Sequence, residues 1–344
     1  MKILIADDGP LAHHFIREAF GKALSISGYE TMFWDIRKKP VYDAFDQFEP
    51  DLVFLQGYNL TESTVKCIEE RPEMKIVMRV SDWSEFNDEI IDEYPVIKAG
   101  EKEINFLNHI KTLPNKLLLQ THHCKEYLEL THQRWIDNGF NLYAFENFGD
   151  VFEYTNGEYI ENLSCDLIFI GGYWGYKARN LDKYIMPLCD PNKNYNLRIF
   201  GNQRWPGSKY CGFIPQDISK HALKSSKICL SVHEPHSNKF GYDIVVRPYN
   251  LMLNKCLMIS DYVEGLVKRF PEANTYKTPD DYISAIDRLL SHTEFQEEKI
   301  EHLYQEVLTK HTAFERMTDI FSMLDIPTDK IKAGKELVME KLSL

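Results

Sequence analysis

The sequence lacks long apolar runs and paired cysteines. No window approaches the roughly 18 consecutive apolar residues that a membrane-spanning helix needs, and the amino terminus turns acidic at Asp7-Asp8, too early for a signal peptide. The seven cysteines are scattered, odd in number and never spaced as C-x-x-C, so they favour neither a disulfide framework nor a zinc site. These absences predict a soluble protein of the reducing cytoplasm.

An excess of positive charge is missing as well. The chain has 40 Lys and Arg against 52 Asp and Glu, a formal net charge of −12. Such a field repels a phosphate polymer unless a local basic groove overcomes it, so a nucleic-acid partner is disfavoured. The sequence also has no low-complexity tract and no block of like charge, and with 44% hydrophobic and 27% charged residues it has the composition of a folded protein.

What the sequence does contain is an alternation of strand and helix patterns that occurs twice. At 344 residues the chain exceeds what one hydrophobic core usually supports. The alternation runs through residues 1–150 and returns in residues 165–310, after a polar segment with an Asn156-Gly157 turn, and residues 311–344 are predicted to form helices that pack back on the first domain. We therefore predict an α/β fold of two Rossmann-like, doubly wound parallel sheets that face a ligand cleft.

The densest motifs lie between Leu167 and Asp261. Gly171 and Gly172 directly follow an apolar strand, where backbone N–H groups at a helix start can approach a phosphate, although a tight turn alone also needs glycine. Arg179 adds a fork-shaped cation suited to a diphosphate. A solvated helix face is the alternative for Arg179 and, more so, for Lys177.

Two further segments extend this candidate nucleotide site. Arg247 and Asn250 stand three residues apart on one predicted helix, a spacing that suits one group on a phosphate and one on a ribose. The alternative is an arginine paired with a neighbouring acid and an asparagine at the surface. Phe213 could cover a base whose edge the backbone of Ile214 contacts, or the segment is a plain strand end.

The first domain offers candidates for the chemical step. Asp82 follows a strand at its carboxyl edge, where parallel sheets place functional groups, and could act as a general base beside Trp83 or simply cap the next turn. The other acids and histidines considered are Asp7, Asp8, His13, His14, His122 and His123. Adjacent His122 and His123 lack the spacing of a metal site. A receiver domain, suggested by the first strand, is disfavoured because Gln56 replaces the phosphate-accepting aspartate.

In order and spacing these motifs resemble the GT-B glycosyltransferases, especially the phage DNA beta-glucosyltransferase and CgeB-like (glycosyl transferase family 1-like) groups. The resemblance is densest from Asp166 to Asp261. It implies a donor site for a nucleotide sugar and a catalytic base at Asp82. The implied donor-binding residues are Gly171, Gly172, Tyr173, Arg179, Phe213, Ile214, Arg247 and Asn250. Asn250 departs from the family's usual ribose-binding glutamate, and the missing E-x7-E pattern of retaining enzymes implies inversion.

The predicted function is transfer of a sugar from a nucleoside-diphosphate sugar, with UDP or GDP, to a hydroxyl acceptor in glycan biosynthesis. The acceptor is expected to be a saccharide rather than DNA, and the reaction to need no metal or other cofactor. Three alternatives remain: a non-hydrolysing nucleotide-sugar 2-epimerase, a DNA-modifying glucosyltransferase and a non-catalytic nucleotide-sugar-binding module.

Overall fold

A computed structural model describes residues 1–8, 12–84, 98–121, 124–241, 243–291 and 296–342. The chain divides into two compact units. Unit 1 comprises Met1–Glu146 and Ala313–Leu344, and unit 2 comprises Asn147–Thr312. Each unit is built around its own parallel sheet.

Unit 1 contains six parallel strands. They are β1 (Lys2–Asp7), β2 (Glu30–Asp35), β3 (Leu52–Gln56), β4 (Lys75–Arg79), β5 (Leu117–Thr121) and β6 (Leu142–Ala144), in the order β2-β1-β3-β4-β5-β6. The helices between them are α1 (Ala12–Ile26), α2 (Val41–Phe48), α3 (Glu62–Glu69), α4 (Glu101–Ile110), α5 (Leu128–Thr131) and α6 (Gln133–Asp137). The central strands are apolar and buried on both faces, which is the pattern of a parallel sheet covered by helices.

Unit 2 contains five parallel strands. They are β7 (Cys165–Ile170), β8 (Leu197–Phe200), β9 (Ser226–Ser231), β10 (Met258–Asp261) and β11 (Asn274–Tyr276), in the order β11-β10-β9-β7-β8. The helices are α7 (Gly175–Tyr184), α8 (Gln216–Lys224), α9 (Pro235–Phe240), α10 (Val246–Leu253), α11 (Glu264–Arg269), α12 (Pro279–Ser291) and α13 (Glu297–Lys310). Its core is formed by side chains such as Leu167, Phe169, Ile199 and Ile259, all without solvent exposure.

The last two helices, α14 (Ala313–Met323) and α15 (Asp329–Leu342), belong to unit 1 and pack against α1. The ring of Phe321 meets that of Tyr29 at 5.4 Å. Short 3-10 helices span Gly57–Asn59, Lys125–Tyr127, Glu161–Leu163 and Met186–Cys189. The predicted α/β class with two doubly wound parallel sheets is confirmed.

Each sheet has a point where the strand order reverses. In unit 1 the point lies between β1 and β3, and in unit 2 it lies between β7 and β9. Crossover connections leave in opposite directions on either side of it, so a crevice opens beyond the carboxyl ends of those two strands, where open α/β sheets bind ligands. The fold therefore directs attention to the ends of β7 and β9, and to those of β1 and β3.

Candidate active site

The Gly171-Gly172 turn is packed too closely for larger residues. A Cβ atom added to Gly171 would lie 2.8 Å from Nη2 of Arg247, and one added to Gly201, at the end of β8, would lie 2.3 Å from the carbonyl oxygen of Gly171. That same carbonyl accepts a hydrogen bond of 2.8 Å from Nε1 of Trp205. The glycines thus permit close backbone approach at the sheet edge, and a cationic side chain lies directly against them.

Gly201→Ala should therefore destabilise the protein, whereas Gly175→Ala should not. Because the atom facing the new methyl of Gly201→Ala is backbone, the strands must shift, at a cost of about 1–3 kcal/mol in the free energy of unfolding. Gly175, in the first turn of α7, has no atom within 4 Å of an added Cβ and is the matched control. Urea unfolding of both variants measures the difference, and equal midpoints would contradict the close approach.

Arg247, in the first turn of α10, spans the reversal point of the unit 2 sheet. Its Nε donates to the carbonyl of Ile170, the last residue of β7, at 3.2 Å, and its Nη1 donates to the carbonyl of Val232, the residue after β9, at 3.1 Å. Its guanidinium lies 4.6 Å from the centre of the Phe169 ring. Burial lowers the pKa of Arg247, and the negative charge of Asp261 opposes this. The arginine is thus held by backbone carbonyls rather than by the neighbouring acid that the sequence left as an alternative.

Lys177 is a second cation at this edge, and its expected solvated position is wrong. The residue is only 8% exposed, on the inner side of α7. Burial and the charge of Arg247 lower the pKa of Lys177 to about 7, although Glu234 and Asp261 act in the opposite direction. A buried cation, Lys177, and a partly buried one, Arg247, at the end of one parallel sheet form a site suited to a diphosphate.

Arg179 lies two residues further along α7 and is exposed, with its guanidinium 5.6 Å from the ring centre of Tyr176. Residues two apart on a helix point in different directions. The structure therefore brings Gly171, Arg247 and Lys177 together and leaves Arg179 on another side of the helix. Its role in diphosphate binding stays a prediction.

A buried pair fixes the loop that follows β9. Nδ1 of His233 lies 2.7 Å from Oδ1 of Asp261, and neither side chain is exposed. Burial alone would raise the pKa of Asp261, but His233 and a hydrogen bond from Asn238 hold it below its ordinary value. Sequence reasoning missed His233. The available signal was its position directly after a buried strand at the sheet edge.

The remaining predicted donor residues occupy varied surroundings. The Tyr173 hydroxyl donates to Asp182 at 2.7 Å. Phe213 is 70% exposed while Ile214 is buried, and the described part of the chain gives the backbone of Ile214 no hydrogen-bond partner. Both observations suit a segment that receives a base. Asn250 instead accepts a hydrogen bond of 3.0 Å from the backbone N–H of Asp150, so its ribose contact stays a prediction with a competing partner.

In unit 1, Asp82 follows β4 and lies beside a histidine that the sequence analysis missed. Its Oδ1 is 3.5 Å from Nε2 of the fully buried His132, whose Nδ1 is 2.7 Å from the hydroxyl of Thr131. Trp83 packs on Trp135 at 4.5 Å between ring centres. A carboxylate paired with an imidazole in a largely apolar setting has the chemistry of a general base.

The other first-domain candidates separate into two groups. Asp7 pairs with Nδ1 of His14 at 2.6 Å, and both Asp7 and Asp8 pair with Nη1 of Arg17 at 2.7 Å. His122 and His123 lie outside the described residues, as does the side chain of His13. Within the described residues, no three His, Cys, Asp or Glu side chains cluster closely enough to hold a metal ion.

Comparison with known proteins bears on the fold. A family model described as "glycosyl transferase-like" matches residues 183–322, which include His233, Arg247 and Asp261. T4 phage BGT in complex with its UDP-glucose substrate superimposes with a TM-score of 0.61 at 14% sequence identity, covering 95% of this chain and 100% of that one. The chain thus has the GT-B fold of this glycosyltransferase.

Other solved structures share this fold. An alpha-glucosyltransferase in complex with UDP-glucose and DNA matches with a TM-score of 0.60 at 10% identity, over 94% of this chain and 98% of that one. The N-terminal domain of Candida albicans trehalose-6-phosphate phosphatase matches with a TM-score of 0.55 at 9% identity, over 94% and 96%. No curated protein matches the sequence. None of the described helices is long and apolar enough to cross a membrane.

Proposed function

We propose that the protein is a glycosyltransferase that moves a sugar from UDP to a hydroxyl group of a saccharide, with inversion at the anomeric carbon and without a metal ion. The observation that carries the donor half is the pair of cations at the reversal point of the unit 2 sheet, the buried Lys177 and the partly buried Arg247. UDP is favoured over other nucleotides because T4 phage BGT and the alpha-glucosyltransferase were both solved with UDP-glucose.

The proposed reaction is a single displacement. Asp82 takes the proton of the acceptor hydroxyl while its oxygen forms a bond to the anomeric carbon. The bond from that carbon to the β-phosphate oxygen breaks, and its electron pair leaves with UDP. Lys177 and Arg247 stabilise the negative charge that grows on the diphosphate, which is the role a metal ion would otherwise fill. Attack opposite to the leaving group inverts the configuration.

DNA is the second candidate acceptor. A structural match described as the DNA modifying enzyme beta-glucosyltransferase has a TM-score of 0.57 at 14% identity and covers both chains completely. Against this stands the net charge of −12, which opposes approach to a polyanion. Gel retardation at low salt separates the two acceptors, since a DNA-modifying enzyme must retard duplex DNA and a saccharide-specific one need not.

Substitutions of two cationic residues in α7 test the donor site. Lys177→Met removes a buried charge at the sheet edge, and we expect it to weaken UDP binding at least about tenfold, the effect of losing one charge-assisted contact of about 1.5–3 kcal/mol. Arg179→Met removes an exposed charge and should weaken binding less. Thermal shift and calorimetric titration with UDP, GDP, dTDP and CMP measure both effects. Unaltered affinity in Lys177→Met would move the diphosphate elsewhere.

A further inference from the structure

A row of polar side chains crosses the unit 1 sheet at its carboxyl edge. Gln56, Arg79, Gln120 and Tyr143 are paired in register on β3, β4, β5 and β6. Because paired residues of parallel strands point to the same face, these four side chains share one face. Two residues earlier the same face carries Phe54, Val77 and Leu118, as expected of a buried parallel sheet. The polar residues at this edge therefore differ from the apolar residues of the sheet interior, and packing of the core does not explain them.

A cavity lies at this edge, beside the reversal point between β1 and β3. Its volume is about 50 Å³. The polar side chains that line it are Arg17, Gln56, Arg79 and Gln120, and the rings that line it are Phe20, Phe54 and Phe145. A single water needs about 10–15 Å³ of such space, so the cavity has room for a small polar group such as a carboxylate or a phosphate.

Two groups at the cavity have unused hydrogen-bonding capacity. Nη1 of Arg79 and Oε1 of Gln120 are buried and find no hydrogen-bond partner among the described residues. The other polar groups are engaged: Arg17 binds Asp7 and Asp8, and the Gln56 amide contacts Asn59 and, in its better orientation, Arg17. The cavity therefore offers one available hydrogen-bond donor, Nη1 of Arg79, and one available acceptor, Oε1 of Gln120.

Arg79 is partly buried, its Nη1 atom is fully buried, and no acid among the described residues acts as its counterion. Its guanidinium lies 5.8 Å from the ring centre of Tyr58, and no carboxylate of the described chain forms an ion pair with it. Burial lowers the pKa of Arg79, and Asp8 and Asp82 oppose this only at longer range. Since a buried charge is retained at a large cost unless it is paired, this arrangement favours an anion supplied from outside the chain.

We propose that the cavity binds an oxyanion, a carboxylate or phosphate, carried by the acceptor sugar. This deepens the proposed function and rests on it. Arg79 donates to the oxyanion, and Oε1 of Gln120 accepts a hydrogen bond from a sugar hydroxyl next to it. Asp82, the proposed base, follows Arg79 by three residues at the same sheet edge, so the anchored group lies near the group that activates the acceptor. The acceptor class is therefore an acidic or phosphorylated saccharide.

Calorimetric titration of the full chain without donor tests this proposal. The probes are glucuronate, glucose 6-phosphate and glucose. We expect at least one of the two anions to bind tenfold or more tightly than glucose; the better one identifies the oxyanion as carboxylate or phosphate. If neither anion binds better than glucose, the proposal is wrong. This titration needs neither donor nor turnover, so its failure is distinguishable from a failure of UDP-glucose binding, which would instead overturn the proposed function.

Substitutions of Arg79 and Arg71 test where the anion binds. Arg79→Met should abolish the preference for the anion and leave UDP-glucose affinity unchanged. The matched control is Arg71→Met, since Arg71 also stacks on a ring, that of Phe45, but is ion-paired with Asp46; it should keep the preference. An anion preference that survives Arg79→Met would overturn the assignment. Arg79→Lys, which keeps the charge but loses the fork, should retain a weakened preference if Arg79→Met does not fold.

Discussion

Asp82→Asn is expected to lower the rate of sugar transfer by about 10²–10⁴-fold, the usual contribution of a general base, while UDP-glucose binds as in the wild type. Asparagine has nearly the shape of aspartate and can keep the contact with His132, but it cannot accept the acceptor's proton. The loss should therefore appear in kcat and not in donor affinity. Radiolabelled sugar transfer and calorimetric titration measure the two quantities.

The control for Asp82→Asn is Asp43→Asn, which changes an exposed carboxylate in the first turn of α2 in the same unit. Asp43→Asn should leave turnover within about twofold. Unchanged turnover in Asp82→Asn would remove Asp82 from the chemical step. The anomeric configuration of the product, read by NMR, adds an independent check: a base acting in a single displacement must give inversion, and a retained configuration would contradict the mechanism even if the Asp82 variant is inactive.

The fold could be predicted from the sequence because its signals are local. Each buried strand is a short apolar run, and the Gly171-Gly172 turn after β7 leads to a helix that carries Lys177 and Arg179, as the sequence indicated. Arg247 was also accessible, since a cation in the first turn of a helix after an irregular loop is visible without any tertiary contact. These features can be recognised from the hydrophobic periodicity of the sequence and the chemistry of adjacent residues alone.

The roles of Lys177 and Arg179 could not be separated in the same way. Both are cations on a strongly polar helix, and successive residues turn by about 100° around the axis, so the burial of one or the other depends on how the whole helix is rotated against the sheet. That rotation is set by packing of residues such as Leu181, which is fully buried. The sequence favoured Arg179, which has the fork-shaped guanidinium, whereas the structure buries Lys177.

The unit 1 cavity was inaccessible for a different reason. Gln56, Arg79 and Gln120 are far apart in the chain, and they become neighbours only through the pairing of β3, β4 and β5. Gln56 had been noted only as evidence against a phosphorylated receiver domain. Strand register cannot be obtained from the apolar runs themselves, because sliding a buried strand by two residues keeps its pattern. Likewise, nothing in the sequence connects His132 to Asp82.

The affinity for UDP-glucose should fall about 50-fold between pH 7 and pH 9, because Lys177 loses its proton over this range. The pKa of Lys177 is lowered to about 7 by burial and by Arg247. Below that pH the lysine is charged and the diphosphate binds directly. Above that pH the lysine must take up a proton when the diphosphate binds. The affinity therefore falls about tenfold per pH unit, as long as the bound diphosphate keeps the lysine charged. Lys177→Met should bind weakly with almost no pH dependence.

The stability of the ligand-free protein should change in the opposite direction over the same range. The unfolded chain has an ordinary lysine with a pKa near 10.4, so between pH 7 and pH 10 it binds more protons at this position than the folded chain does. The contribution of Lys177 to the free energy of unfolding therefore rises with pH while donor affinity falls. Measuring both in the wild type and in Lys177→Met separates titration of the donor site from general alkaline unfolding, which would weaken both together. A pH-independent affinity in the wild type would show that Lys177 does not contact the diphosphate.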